Sequence, residues 1–233
     1  MKKLFIVSLL ISSILFSDLY AQKNRSTYKP KKTYDYSDRV SIGIGIGDGI
    51  FAPTEVGNYM DYYYSNYRFD FGSPAITNHY DVSLHLDYRL NNYFEFGFVG
   101  EADFGLKYIT TNVDNKTFLY NRYLFGIMAN AHLPVGSTNR NSIFIGLGPI
   151  YNMMNFEEYD GSSMGLRVHA GFCMNFGTFN PRAFIGYDIA TADAKLKSGK
   201  DPYYTFPITT LSYSTFVMGI TFNFSLTGAA EAF

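Results

Sequence analysis

Between Tyr80 and Leu90 the chain alternates without exception: Tyr80, Val82, Leu84, Leu86, Tyr88 and Leu90 fall on one parity, Asp81, Ser83, His85, Asp87 and Arg89 on the other. Successive side chains of an extended chain point to opposite sides, so this period of two spells a β-strand with one apolar and one polar face. The pattern recurs down the chain. Val40, Ile42, Ile44 and Ile46 interleave with Ser41, Gly43, Gly45 and Gly47, and Phe94, Phe96, Phe98 and Phe104 oppose Glu95, Gly97, Glu101 and Asp103. Tyr123, Phe125, Ile127, Ala129, Ala131 and Leu133 oppose Arg122, Gly126, Asn130 and His132, and Ile143, Ile145 and Leu147 oppose Gly146 and Gly148. Leu166 to Phe176 sets its even positions against Arg167, His169, Gly171 and Asn175; Ala183 to Ile189 sets its odd ones against Arg182, Gly186 and Asp188. Phe216, Met218, Ile220, Phe222 and Phe224 close the series against Gly219, Thr221 and Asn223. That makes eight strands and an all-β fold.

Most of these segments run about 9 to 13 residues, the length a tilted strand needs to cross the hydrocarbon of a bilayer. The one long uncharged stretch, Pro202 to Ala230, is interleaved with Thr, Ser, Tyr and Asn and broken by Pro207 and Gly219, which makes it a poor membrane helix. Composition agrees with a barrel whose outside is not wholly wet: aromatics reach 18% while charged residues stop at 17%, below the globular norm of about 25%. Nineteen basic against twenty acidic side chains leave no electrostatic footprint for nucleic acid. With Cys173 alone in the chain, no intrachain disulfide and no cysteine-based zinc pattern can form.

The first residues read as an address. Met1-Lys2-Lys3 is a basic start, Leu4 to Phe16 is a 13-residue, mostly apolar run, and Leu19-Tyr20-Ala21 ends on a small residue. This is the pattern of a secretory signal peptide spanning residues 1–21, too short for a membrane anchor and cleaved after Ala21. Residues 22–38 carry Lys23, Arg25, Lys29, Lys31 and Lys32 against Asp35 and Asp38 with no apolar period, as a flexible periplasmic tail would. The barrel is then residues 39–233.

Alternation alone does not say which face is inside, since a soluble barrel is apolar within and a membrane barrel apolar without. Lysine decides. All eleven Lys lie outside the strand cores, and the polar parity holds Gly, Ser, Asn and both signs of charge, which suits a crowded lumen where Arg and carboxylates pair. Connections at Asn91-Asn92-Tyr93, Pro134 to Asn141 and Gly177 to Pro181 are short, while Asp48 to His79, Lys107 to Lys116, Met153 to Ser163 and Thr191 to Thr210 are longer. Short periplasmic turns and long outer loops put both ends of the barrel in the periplasm. Eight strands enclose a space just wide enough for side chains, without an aqueous channel.

The eight alternating segments, the signal peptide and the terminal run Gly219-Ile220-Thr221-Phe222-Asn223-Phe224, with Phe233 as last residue, resemble the small outer-membrane β-barrels of Gram-negative bacteria of the OmpA transmembrane domain and OmpX type. The resemblance implies an eight-stranded antiparallel up-and-down transmembrane β-barrel in the outer membrane. It also implies surrounding lipid as solvent and the barrel-assembly machinery as a partner during biogenesis, read through the Gly and the aromatics that follow it. Ser225 to Glu231 separates the aromatic strand from Phe233, a departure from that pattern, and a cell-wall anchor of the OmpA kind is not expected.

On the lumen parity His85, Asp87, Arg89, Glu95, Glu101, Asp103, Arg122, Arg167, His169 and Asp188 form the expected polar network. Imidazoles beside carboxylates could bind a metal or run acid/base chemistry, but charges confined in a narrow lumen must pair with one another, so the network is expected to be structural, with no cofactor, no metal and no enzymatic role. Around Asn91-Asn92-Tyr93 the parity requires Leu90 opposite Phe94 and Arg89 opposite Glu95, which predicts a three-residue loop with a left-handed Asn or a bulge, and an Arg89–Glu95 pair. The first long loop crowds Tyr59, Tyr62, Tyr63, Tyr64, Tyr67, Phe69 and Phe71 with Arg68. Tyrosine supplies contact area at low entropy cost, so Tyr62, Tyr63, Tyr64, Tyr67 and Arg68 are candidates for recognising an extracellular ligand, with interfacial anchoring or loop packing as the other reading. The expected role is a surface barrel with a filled lumen; a narrow channel for ions or small solutes and a lipid-modifying or proteolytic enzyme are the alternatives.

Overall fold

The protein was analysed as a computed structural model, which describes residues 33–34, 39–51, 58–59, 78–110, 115–136, 140–200, 207–212, 214–227 and 231–232. Eight long strands carry it: β1 Arg39–Phe51, β2 Asn78–Arg89, β3 Phe94–Thr110, β4 Asn115–Val135, β5 Asn141–Phe156, β6 Tyr159–Cys173, β7 Phe179–Asp193 and β8 Thr215–Ser225. Each pairs antiparallel with the next, and β8 pairs with β1 from Thr215↔Phe51 to Ser225↔Ser41, so the sheet closes on itself and leaves no edge.

The side-chain parity reads through every strand. Ile42, Ile44 and Ile46 of β1, Leu84 and Leu86 of β2, Phe96 and Phe98 of β3, Phe125 and Ile127 of β4 and Ile145 and Leu147 of β5 all point outward and are exposed. The charged side chains Glu95, Glu101, Asp103, Arg122, Arg167 and Asp188 are buried within. A belt of isoleucine, leucine and phenylalanine around a charged interior is stable only when hydrocarbon is the outer solvent; this barrel spans a membrane.

Close approach explains the glycines of β1. Where a Cβ would stand on Gly49, Gly47 and Gly45, the side chains of His79, Asp81 and Ser83 lie instead, and Asn223 fills the place at Gly43. One strand gives up its side chains so that its neighbours can hold bulky polar groups in a narrow lumen.

Several expectations about connections are corrected, the first long one shortening to residues 52–77 because β1 runs to Phe51 and β2 starts at Asn78. The stretch Met153 to Ser163 is not a long loop, because β5 runs to Phe156, β6 starts at Tyr159, and only Glu157 and Glu158 turn the chain. Likewise β3 and β4 stay paired to Thr110↔Asn115, past the expected break at Lys107. The hairpins continue beyond the bilayer, where β4 with 21 residues is about twice as long as a tilted strand needs to be. At the other end β4 extends through Pro134 and Val135 to pair with β5, and β7 begins at Phe179, so Pro181 lies in a strand. Apolar–polar alternation fades where the outer face passes from lipid to water and the inner face turns apolar under loop residues, although backbone pairing goes on.

At the end opposite the short turns an apolar cap closes the barrel. Tyr120, Met154, Phe156, Tyr159, Ala190 and Ala192 point inward there, and Tyr59, Ile208 and Leu211 from the two longest connections pack onto them. The Tyr59 ring stands edge-on to Phe156 at 5.1 Å, its hydroxyl donates to Glu158 Oε2 at 3.3 Å, and Ile208 N–H donates to the Tyr159 hydroxyl at 3.3 Å. Glu157 adopts a positive φ of 50°, uncommon for a side chain of its size, and accepts a hydrogen bond from Leu119 N–H at 2.8 Å.

Candidate functional site

The lumen holds two layers of ion pairs. Toward the cap, Arg122 of β4 and Arg167 of β6 share three carboxylates. Arg122 donates to Asp103 and Glu101 of β3, the latter at 3.0 Å, and to Asp188 of β7 at 2.8 Å. Arg167 donates to Asp188 at 2.6 and 2.7 Å and to both Glu101 oxygens at 2.7 Å. Both guanidiniums are fully buried, and together they staple β3 and β4 to β6 and β7 straight across the barrel. His79 of β2 lies 3.9 Å from Asp103 at the edge of this layer.

Toward the short turns, Arg182 of β7 grips Glu95 of β3 with two bonds of 2.6 and 2.8 Å and comes within 3.2 Å of Asp87 of β2. Asn130 donates to Glu95 at 3.0 Å and Asn223 to Asp87 at 3.3 Å, while His132 sits between Ser142 Oγ at 3.0 Å and Glu95 at 3.6 Å. Between the layers lies a cavity of about 30 Å³, lined by His85, His169, Asn130, Arg167 and Arg182 among others. That is room for a few water molecules. His169 bonds Asn130 Oδ1 at 2.7 Å and His85 bonds Ser83 Oγ at 2.9 Å across its walls.

All ten luminal residues singled out in the sequence point inward. Glu101, Asp103, Arg122, Arg167 and Asp188 make the first layer, Asp87 and Glu95 belong to the second, and His85 and His169 face the cavity. Arg89 and Glu95 stand opposite each other in the β2–β3 ladder, and Leu90 N–H bonds Phe94 O at 2.9 Å, which is the three-residue connection. No left-handed Asn is used: the Asn91 side chain accepts from Tyr93 and Phe94 N–H at 2.8 and 2.9 Å and turns the chain itself. The partner is corrected too. Arg89 donates to the Asn91 and Asn92 carbonyls at 3.3 and 3.0 Å, and the carboxylate of Glu95 is held by Arg182.

The sequence reading counts Arg182 among the arginines available to pair in the lumen but does not join Asn130, His132, Asn223 and His79 to the network, although each sits on the lumen parity. It also missed an apolar stretch of luminal wall, Val99, Leu124, Met128 and Ile150. The candidates Tyr62, Tyr63, Tyr64, Tyr67 and Arg68, the signal peptide and residues 22–32 lie outside the described residues. Among the described residues no three His, Cys, Asp or Glu side chains are grouped to hold a metal ion. Two serine hydroxyls touch imidazoles, Ser83 with His85 and Ser142 with His132, but both serines are buried in the filled lumen.

No protein-family model matches the sequence, and no curated protein matches it either. Among solved structures the barrel is similar to the outer membrane protein OprG from Pseudomonas aeruginosa, with a TM-score of 0.54 at 10% identity over 85% of this chain and 99% of that one. Neisserial surface protein A, NspA, matches with a TM-score of 0.47 at 10% identity over 80% and 95%, and Ail, the attachment invasion locus protein of Yersinia pestis, with 0.40 at 16% identity over 81% and 99%. At such identity the likeness to OprG speaks for the fold: a closed, eight-stranded antiparallel barrel of the outer-membrane kind.

Proposed function

We propose that this chain is a sealed barrel of the bacterial outer membrane, of the small OmpA and OmpX type, exported by a cleaved signal peptide. It works without catalysis, as a membrane-embedded support for the surface formed at its capped end. The observation that carries this reading is the closure of the lumen at three levels: two ion-pair layers, only a small cavity between them, and an apolar cap above. An ion crossing would have to break buried Arg–carboxylate pairs, each costly to separate. A hydrolase would need its nucleophile where substrate reaches it, whereas Ser83 and Ser142 face a packed interior. What remains accessible is the capped face. There the tyrosine-rich segment that includes Tyr62, Tyr63, Tyr64, Tyr67 and Arg68 offers contact area for an extracellular ligand, with lipid around the belt and the assembly machinery as partner only during insertion.

Fractionation with protease treatment tests this. The protein should band with outer membranes, shift its gel mobility on heating, and be cut in intact cells within residues 52–77 before any strand is cut. Recovery in the soluble periplasm, or cleavage only after the outer membrane is breached, would overturn it.

A further inference from the structure

The seam between β1 and β8 joins the two ends of the barrel, and apart from Asn223, which fills the place at Gly43 and donates to Asp87, its side chains distinguish neighbouring registers weakly. On the luminal side the pairs are Gly43↔Asn223, Gly45↔Thr221, Gly47↔Gly219 and Gly49↔Val217, so each includes at least one glycine. On the lipid side Ile42, Ile44 and Ile46 face Phe224, Phe222 and Ile220, a run nearly unchanged by a two-residue slip. Such a slip keeps every side chain on its proper face, so hydrophobic pattern does not oppose it. It would nonetheless alter the stagger of the barrel, and with it the diameter across which Arg122 and Arg167 must reach.

The specificity lies below the belt, at the short-turn end. Arg39 opens β1 directly opposite Arg89 of β2, a like-charged pairing that disfavours both unless each turns to other partners. Arg89 turns to the Asn91 and Asn92 carbonyls. The Arg39 guanidinium reaches across the seam instead, donating to Ser225 Oγ of β8 and to the Gly177 carbonyl in the β6–β7 turn. Pairing then continues past the strand ends: Leu226 N–H bonds Val40 O at 2.9 Å, and Val40 N–H bonds Thr227 Oγ1 at 3.1 Å. Farther out, Thr33–Tyr34 of the tail before the barrel pairs antiparallel with Glu231–Ala232 of the extension after it. These contacts exist only in one register.

We propose that Arg39 and this clasp of flanking segments set the register in which the first and last strands close. The closing contact joins residues 186 apart in sequence at Arg39 and Ser225, so the chain ends must find each other late, after the other hairpins have formed locally. A charged fork with two fixed acceptors, backed by a tethered pair of short strands, distinguishes registers that glycine and isoleucine leave alike.

Cysteine pairs in a Cys173→Ala background read the register. The pair Ile42→Cys with Phe224→Cys reports the native seam, Ile44→Cys with Phe224→Cys a two-residue slip, and Thr33→Cys with Ala232→Cys the clasp. In folded protein taken from outer membranes, the native and clasp pairs should cross-link and the slipped pair should not. Arg39→Ala, or truncation after Ser225, should raise cross-linking of the slipped pair severalfold. If Arg39→Ala fails to reach the membrane, Ser225→Ala with Thr227→Val removes acceptors from the same contacts and should give the same rise. A slipped fraction unchanged by these variants, or a Thr33/Ala232 pair that stays open while Ile42/Phe224 closes, would overturn the proposal.

Discussion

Glu95 shows how a luminal residue can be read correctly for its face and wrongly for its partner. Parity puts it inside and register puts it across from Arg89, yet its carboxylate is clasped by Arg182 from the far wall of the barrel. Removing one member of such a buried pair strands the other, at about 3–5 kcal/mol by precedent. Glu95→Ala should therefore lower unfolding stability strongly in urea titrations of the lipid-embedded barrel. Adding Arg182→Ala should recover part of the loss, whereas adding Arg89→Ala should simply sum; recovery with Arg89 and additivity with Arg182 would reverse the assignment. Glycines give a second contrast. A side chain at Gly47 would meet the Asp81 carboxylate, while at Gly100 on the outer face a Cβ would touch only Phe125 carbons at 3.8 Å. Gly47→Leu should block folding or severely weaken the barrel and Gly100→Ala should be nearly silent, judged by the heat-dependent gel shift.

At the scale of strands, the alternation fixed existence, order and facing of all eight elements, because lipid outside and charge inside impose opposite chemistry on adjacent residues. It said less about where they end. Beyond the bilayer both faces of the hairpin meet water or loop, so Met154, Phe156 and Tyr159 look like loop residues in sequence, though they are inward-facing parts of β5 and β6 under the cap. Nor could alternation choose Arg182 for Glu95, since partners across a lumen depend on strand tilt and stagger rather than on parity. Facing itself is open to a direct check. Leu86→Arg puts a charge into the lipid belt and should cost about 2–4 kcal/mol near mid-strand, whereas Leu86→Ile should be close to neutral. Equal tolerance of both in urea unfolding would mean the barrel is inside out. Tyr59→Ala should leave the strands intact but let protease cut the connection between β7 and β8 faster in intact cells, because Ile208 and Leu211 pack on that ring's cluster. An unchanged cutting rate would show that the cap does not depend on Tyr59.

For the whole molecule, everything turns on whether the lumen is closed. Arg122 and Arg167 bridge the walls with Glu101 and Asp188, Arg182 does so again with Glu95, the space between is a cavity of about 30 Å³, and the outer mouth is filled by side chains. Eight strands set a width that side chains can fill, and these side chains fill it. Single-channel recording of the purified, folded protein in a planar lipid bilayer tests this most directly. The account predicts current indistinguishable from bare lipid at neutral pH in molar salt; reproducible conductance steps from the wild-type protein would contradict it.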